Sequence, residues 1–184
     1  MLIQCYKAAE PFYFLEYGQN ALPVAREYVT IPDGQYRYEG EVDQAGNKCG
    51  KGIYFKENEF YYFIAEGLWL DGKINGLGRT FTCLKGSQEL NFYFGKHQAS
   101  MGNGIGSFNA IDRFIYTGYF KDGKPNGIGL IDSPFDQSSY FGEWKDAKRE
   151  GVGIETRPDG TRVKGLFAEN EFIKTVDLNE ALLD

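Results

Sequence analysis

The chain has 184 residues, a formal net charge of −6, 42% hydrophobic and 25% charged residues, 16% aromatics, and 24 glycines against 6 prolines. That length holds one domain or one continuous array, and the negative balance argues against a nucleic-acid backbone as partner and weighs against anionic membranes. So many rings exclude a Gly-rich disordered chain, glycine does not recur every third residue as collagen demands, and no run of 18 apolar residues could span a bilayer as a helix.

Residues 1–32 carry no repeat. They hold Tyr6, Phe12, Tyr13, Phe14 and Tyr17 and lack the basic-then-apolar layout of a secretory leader. They are expected to fold over the first hairpin as a capping segment, because a terminal repeat leaves an unpaired edge. Cys5, Cys49 and Cys83 are scattered, and no asparagine sits in a glycosylation sequon; both features read as an intracellular, cytoplasmic chain.

From residue 33 to about 172 the glycines fall into register. Gly67 to Gly76, Gly95 to Gly104, Gly118 to Gly127 and Gly142 to Gly151 are each separated by nine positions, and each second glycine opens a Gly-x-Gly closed by Gly78, Gly106, Gly129 and Gly153. Gly40 to Gly50-Lys51-Gly52 is a first copy with one extra residue, and Gly165 begins a sixth copy that lacks the Gly-x-Gly half. Two residues before the first glycine stand Tyr38, Ala65, Tyr93, Tyr116, Tyr140 and Val163; two after it stand Val42, Trp69, His97, Phe120, Trp144 and Phe167. The units start near residues 36, 63, 91, 114, 138 and 161.

One unit reads as a hairpin. In Tyr116-Thr117-Gly118-Tyr119-Phe120 the side chains alternate, so Tyr116, Gly118 and Phe120 share a face. Lys121-Asp122-Gly123-Lys124 supplies the turn, and Asn126-Gly127-Ile128-Gly129 returns. Glycine weakens a strand, so its recurrence calls for compensation: aromatic rings lying across bare backbone. A single hairpin is marginal in water, but stacked hairpins cover one another. The expectation is an all-β, elongated, single-layer antiparallel hairpin array of twelve strands, roughly 55–60 Å long at ~4.8 Å per strand. Ser100 and Ala147 replace the mid-turn glycine and His97 replaces an aromatic, so the third unit is expected to have an irregular turn. The extra residues around Lys56–Tyr62 and Leu84–Leu90 are expected to lengthen connections. At the end of the chain, Asp177-Leu178-Asn179-Glu180 has the form of a helix N-cap, and 173–184 reads as a tail or short capping helix.

The segments YTGYFKDGKPNGIG and YFGEWKDAKREGVG, with Pro-Asp-Gly at 32–34 and 158–160, resemble the MORN repeat. The resemblance covers about Asp33 to Phe172 and implies the hairpin array just described. It also implies binding work. MORN arrays serve in radial-spoke heads of cilia, in cytoskeletal and junctional structures and in adaptors that hold myosin tails, and some precede kinase or methyltransferase domains. A cytoskeletal or axonemal setting is expected on that resemblance alone.

Catalytic chemistry is not expected. Lys73-Ile74-Asn75-Gly76-Leu77-Gly78-Arg79-Thr80 lacks the first glycine of a phosphate loop. The single histidine, His97, sits at a repeat ring position, where packing explains it better than a triad or a zinc site. Asp71, Asp122 and Asp146 stand at turns that account for them. No catalytic residue, cofactor or metal is assigned. What remains is the aromatic stripe: Tyr38, Trp69, Tyr93, Tyr116, Phe120, Tyr140, Trp144 and Phe167. Each ring either packs over glycine or lines an open groove, and a single-layer sheet leaves one face for a partner. The expected partner is another protein, offering an apolar helix or extended peptide. Membrane phosphoinositide, drawn by Lys121, Lys124, Lys145, Lys148 and Arg149, ranks second because Asp122, Asp146 and Glu150 interrupt the cations. A homodimer through the last hairpins is compatible with the first reading.

Overall fold

The computed structural model describes residues 27–33, 36–87 and 89–176. The first 26 residues of the expected cap and the expected C-terminal helix lie outside the described residues. Thirteen strands follow in chain order: β1 (Glu27–Asp33), β2 (Tyr36–Val42), β3 (Lys48–Glu57), β4 (Tyr61–Leu70), β5 (Lys73–Leu84), β6 (Leu90–Gln98), β7 (Met101–Ala110), β8 (Phe114–Lys121), β9 (Lys124–Ser133), β10 (Ser138–Lys145), β11 (Lys148–Thr156), β12 (Arg162–Ala168) and β13 (Glu171–Thr175). They form one sheet in sequence order, every pair antiparallel. The hairpin array is the fold expected, with an extra strand. β1 joins the sheet upstream of residue 33, pairing from Glu27↔Val42 to Asp33↔Tyr36, and β13 completes the sixth hairpin.

The turns are more uniform than their sequences. Asp71-Gly72, Ala99-Ser100, Asp122-Gly123, Asp146-Ala147 and Glu169-Asn170 all place both central residues at positive φ, 49° to 52° then 67° to 79°. This is the primed hairpin turn whose twist matches the strands. The turn of the third unit is therefore regular, contrary to expectation, because Ala99 and Ser100 accept a left-handed backbone. A second device holds them there. The amide of the second turn residue donates to a carbonyl of the preceding hairpin: Gly72 to Lys48 (3.0 Å), Ser100 to Ile74 (2.9 Å), Gly123 to Gly102 (2.9 Å), Ala147 to Pro125 (2.9 Å) and Asn170 to Arg149 (3.1 Å). The extra residues of the early repeats mostly lengthen strands rather than loops. Lys56 and Glu57 pair with Phe63 and Tyr62, and Leu84 pairs with Tyr61, because apolar alternation continues through these stretches.

The Gly-x-Gly pair divides two tasks. Between the paired glycines and the residue two positions on, the register slips at Gly40/Val42, Gly67/Trp69, Gly95/His97 and Gly118/Phe120. The first glycine of Gly-x-Gly occupies that bulge at positive φ, as with Gly76 at 98° and Gly127 at 100°. The second lies beneath a ring: a methyl at Gly129 would come 2.2 Å from the Tyr116 hydroxyl and one at Gly153 2.4 Å from the Tyr140 ring.

Candidate binding groove

The sheet has a ring face and a back face. On the ring face, Tyr38, Trp69, Tyr93, Tyr116, Phe120, Tyr140, Trp144 and Phe167 are all buried. From His97 onward they meet edge to face in series: His97 on Tyr93 (4.9 Å), Tyr93 on Phe120 (5.0 Å), Phe120 on Tyr116 (5.0 Å), Tyr116 on Trp144 (5.3 Å), Trp144 on Tyr140 (5.3 Å), Tyr140 on Phe167 (4.9 Å) and Phe167 on Phe172 (5.6 Å); Tyr38 and Trp69 pair separately at 5.4 Å. This alternation sets the electropositive ring edge against the π face.

Their polar atoms are satisfied within the array. The hydroxyls of Tyr38, Tyr93, Tyr116 and Tyr140 donate to the carbonyls three residues on, Glu41 (3.0 Å), Lys96 (2.9 Å), Tyr119 (3.0 Å) and Glu143 (3.2 Å). The indoles of Trp69 and Trp144 donate to the Gly52 and Gly129 carbonyls at 2.9 and 3.1 Å. Burial pushes Tyr93, Tyr116 and Tyr140 up to about 12. It pulls His97 below the usual imidazole value, opposed by hydrogen bonds that include Nδ1–H to the Gly95 carbonyl.

The series breaks once. Ala65 stands where four other units have tyrosine, and the Ile74 side chain fills the gap over Gly67 and Gly78. Two separate clusters result: Tyr38, Val42, Ala65, Trp69 and Ile74, and, beyond the break, Tyr93, Tyr116, Phe120, Tyr140, Trp144 and Phe167.

Across this break and along the second cluster runs an open groove of about 430 Å³. Tyr93, His97, Tyr116, Phe120 and Trp144 form its floor, and Phe63, Thr80, Phe108, Phe114 and Ile131 line it together with Ser100, Gly102, Gly123, Pro125 and Ala147. Four stripe residues thus reach the groove: Tyr93, Tyr116, Phe120 and Trp144. The other four do not. Tyr38 and Trp69 belong to the first cluster and share the Lys48 ammonium with Tyr54, at 5.5, 5.3 and 4.2 Å. Tyr140 and Phe167 lie beneath the Arg149 guanidinium at 5.5 and 5.2 Å. Five further lining residues went unselected in the sequence, although period-two alternation locates them: Thr80, Phe108 and Ile131 stand two residues after the second glycine, Phe63 and Phe114 two before the tyrosine position.

A model of the MORN repeat family matches residues 66–80, 116–134 and 140–162, three stretches inside this hairpin ladder. It is a MORN-repeat protein. The search of curated proteins finds no match. MORN repeats are interaction modules for proteins or membranes, and here the repeat builds a buried ring spine with an apolar groove above it.

Proposed function

We propose that this MORN array is a non-enzymatic scaffold that receives an apolar helix or extended peptide of a protein partner in the ring-face groove, within an intracellular assembly. The observation that carries the reading is the groove itself. Its lining is mostly aromatic and aliphatic, and the polar atoms of its floor rings are already engaged. An occupant therefore gains by burying apolar surface rather than by hydrogen bonding, which suits the apolar stripe of a helix. The lipid alternative has less to stand on, because two of the five cations assigned to it are paired: Lys148 with Glu169, and Arg149 with Glu155 at 2.5 Å. A homodimer stays compatible, since β13 pairs only with β12 among the described strands.

The test compares Phe63→Glu and Phe114→Glu in the groove with Phe141→Glu on the back face, using cross-linked affinity capture from native cells. Loss of one stoichiometric protein with the groove variants alone supports the proposal. Equal capture by all three removes the groove, and recovery of acidic lipid without protein favours the membrane.

A further inference from the structure

The valley over the rings does not end at Trp144. Ile131, Trp144 and Ala147 line the groove and also a second opening, of about 470 Å³, which continues past β10. Its chemistry is different. Asp136, Ser138, Arg149, Glu155, Arg157 and Asn170 line it around the Tyr140 ring. There one carboxylate serves two guanidiniums. Glu155 Oε1 accepts from Arg149 Nη1 at 2.5 Å, and its Oε2 accepts from Arg157 Nε at 3.1 Å. Burial pushes the Glu155 carboxyl up, but the hydrogen bonds and charges of the two arginines outweigh it and hold the group below its usual range. Glu155 is therefore ionised at neutral pH, and the triad keeps one positive charge in excess. Arg149 is fully engaged: its Nη2 donates to the Asn170 carbonyl at 2.6 Å, and its guanidinium covers Tyr140 and Phe167. Arg157 is not. Its side chain is 45% exposed, and its two terminal nitrogens meet no acceptor among the described residues. Asp136, the other carboxylate of the opening, takes the Ser138 amide and hydroxyl within its own turn.

We propose, on the reading that the groove holds a protein segment, that this segment carries an acidic side chain which the free fork of Arg157 takes at the β11 end of the valley. A carboxylate there neutralises the excess charge of the triad and matches the planar pair of N–H donors. Its partner is already held in place by Glu155, so less side-chain freedom is lost than in an ordinary exposed pair. The strands set the spacing. The middle of the apolar floor lies at β8, three strands from β11, or roughly 14 Å at ~4.8 Å per strand. In a helix rising ~1.5 Å per residue the acid stands about nine or ten residues from the central apolar anchor, and in an extended peptide about four. The occupant is thus a segment of mixed chemistry, an apolar stripe with an acid beyond one end of it, rather than a uniformly apolar one.

Selection of a phage-displayed random peptide library on the full chain tests this, with the full-length variants Phe114→Glu and Arg157→Gln alongside. Groove-binding peptides, identified by their loss with Phe114→Glu, should carry Asp or Glu at one fixed distance from their apolar cluster. Arg157→Gln should weaken such a peptide about tenfold and leave the binding of its acid-to-amide analogue unchanged. Groove-binding peptides without a preferred acid, or an equal loss of both analogues with Arg157→Gln, overturn the acidic assignment and leave the groove standing. Peptides indifferent to Phe114→Glu, or no selected peptide at all, overturn both. Binding to phosphatidylserine-containing vesicles that Arg157→Gln abolishes, with no acid preference among the peptides, overturns the assignment in favour of a membrane surface. Should Phe114→Glu lose the fold, seen as a changed tryptophan emission, Phe63→Glu takes its place as the groove variant.

Discussion

A residue's environment in this array depends on which of two glycine tasks its neighbour performs. Gly118 faces the backbone of Gly129 and Ile128, where an added methyl would approach 2.5 and 2.7 Å. Backbone cannot swing aside as a side chain can, so Gly118→Ala is expected to destabilise by about 2–4 kcal/mol, read as a lowered urea midpoint. The turn positions predict the opposite sign. Ser100 and Ala147 hold φ of 73° and 67° without being glycine, so Ser100→Gly and Ala147→Gly are each expected to stabilise by up to about 1 kcal/mol in the same measurement. His97 adds a pH dependence. Its folded value is depressed by burial, so the unfolded chain binds the proton more readily. The stability it contributes is present above the ordinary histidine value of about 6.5 and is lost as pH falls through the lower folded value. His97→Phe should flatten the stability–pH curve in that window.

Each hairpin is locked to the one before it by the amide of its turn. The five bonds from Gly72, Ser100, Gly123, Ala147 and Asn170 lie in exposed turns, where amides ordinarily exchange fast. Hydrogen exchange should show these five protected relative to the first turn residue of each pair. The hairpins themselves were plain in the sequence because glycine spacing, ring flanks and Asp-Gly turns all pointed the same way. The turn-to-hairpin bonds were not, since they join main-chain atoms that any side chain allows. The groove was half legible. Tyr93, Tyr116, Phe120 and Trp144 stand at repeat positions, whereas Phe63 and Phe108 occupy columns whose identity changes from unit to unit. Ile74 standing in for a tyrosine was illegible as well, because it fills from the next strand the space that Ala65 leaves.

At the scale of the whole molecule the gap at Ala65 divides the core. Tyr38 and Trp69 belong to one cluster and Trp144 to the other, so cooperativity should be weakest between β5 and β6. With Trp144→Phe and Trp69→Phe leaving one reporter each, denaturant titration is expected to give two different fluorescence midpoints; coincident midpoints would show a single cooperative core. High pH strains both halves unequally. Tyr93, Tyr116 and Tyr140, held up to about 12, all lie beyond the gap. The folded phenols keep their protons where the unfolded chain has lost them. Their contribution is complete below pH ~10 and is lost as pH rises towards ~12, so the Trp144 signal should respond to alkali.

The sequential order of the strands also has a mechanical meaning. β1 and β13 stand at opposite edges, so tension applied to the two ends runs across the strands, in line with the hydrogen bonds between them, and peels one rung at a time rather than shearing many together. A later repeat of 23 or 24 residues releases about 7.6–8.6 nm of chain when it gives way, at ~3.3–3.6 Å per residue. Between two anchored partners such a chain acts as a tether that lengthens in steps under load and shortens again as each hairpin finds the turn carbonyl waiting on its neighbour.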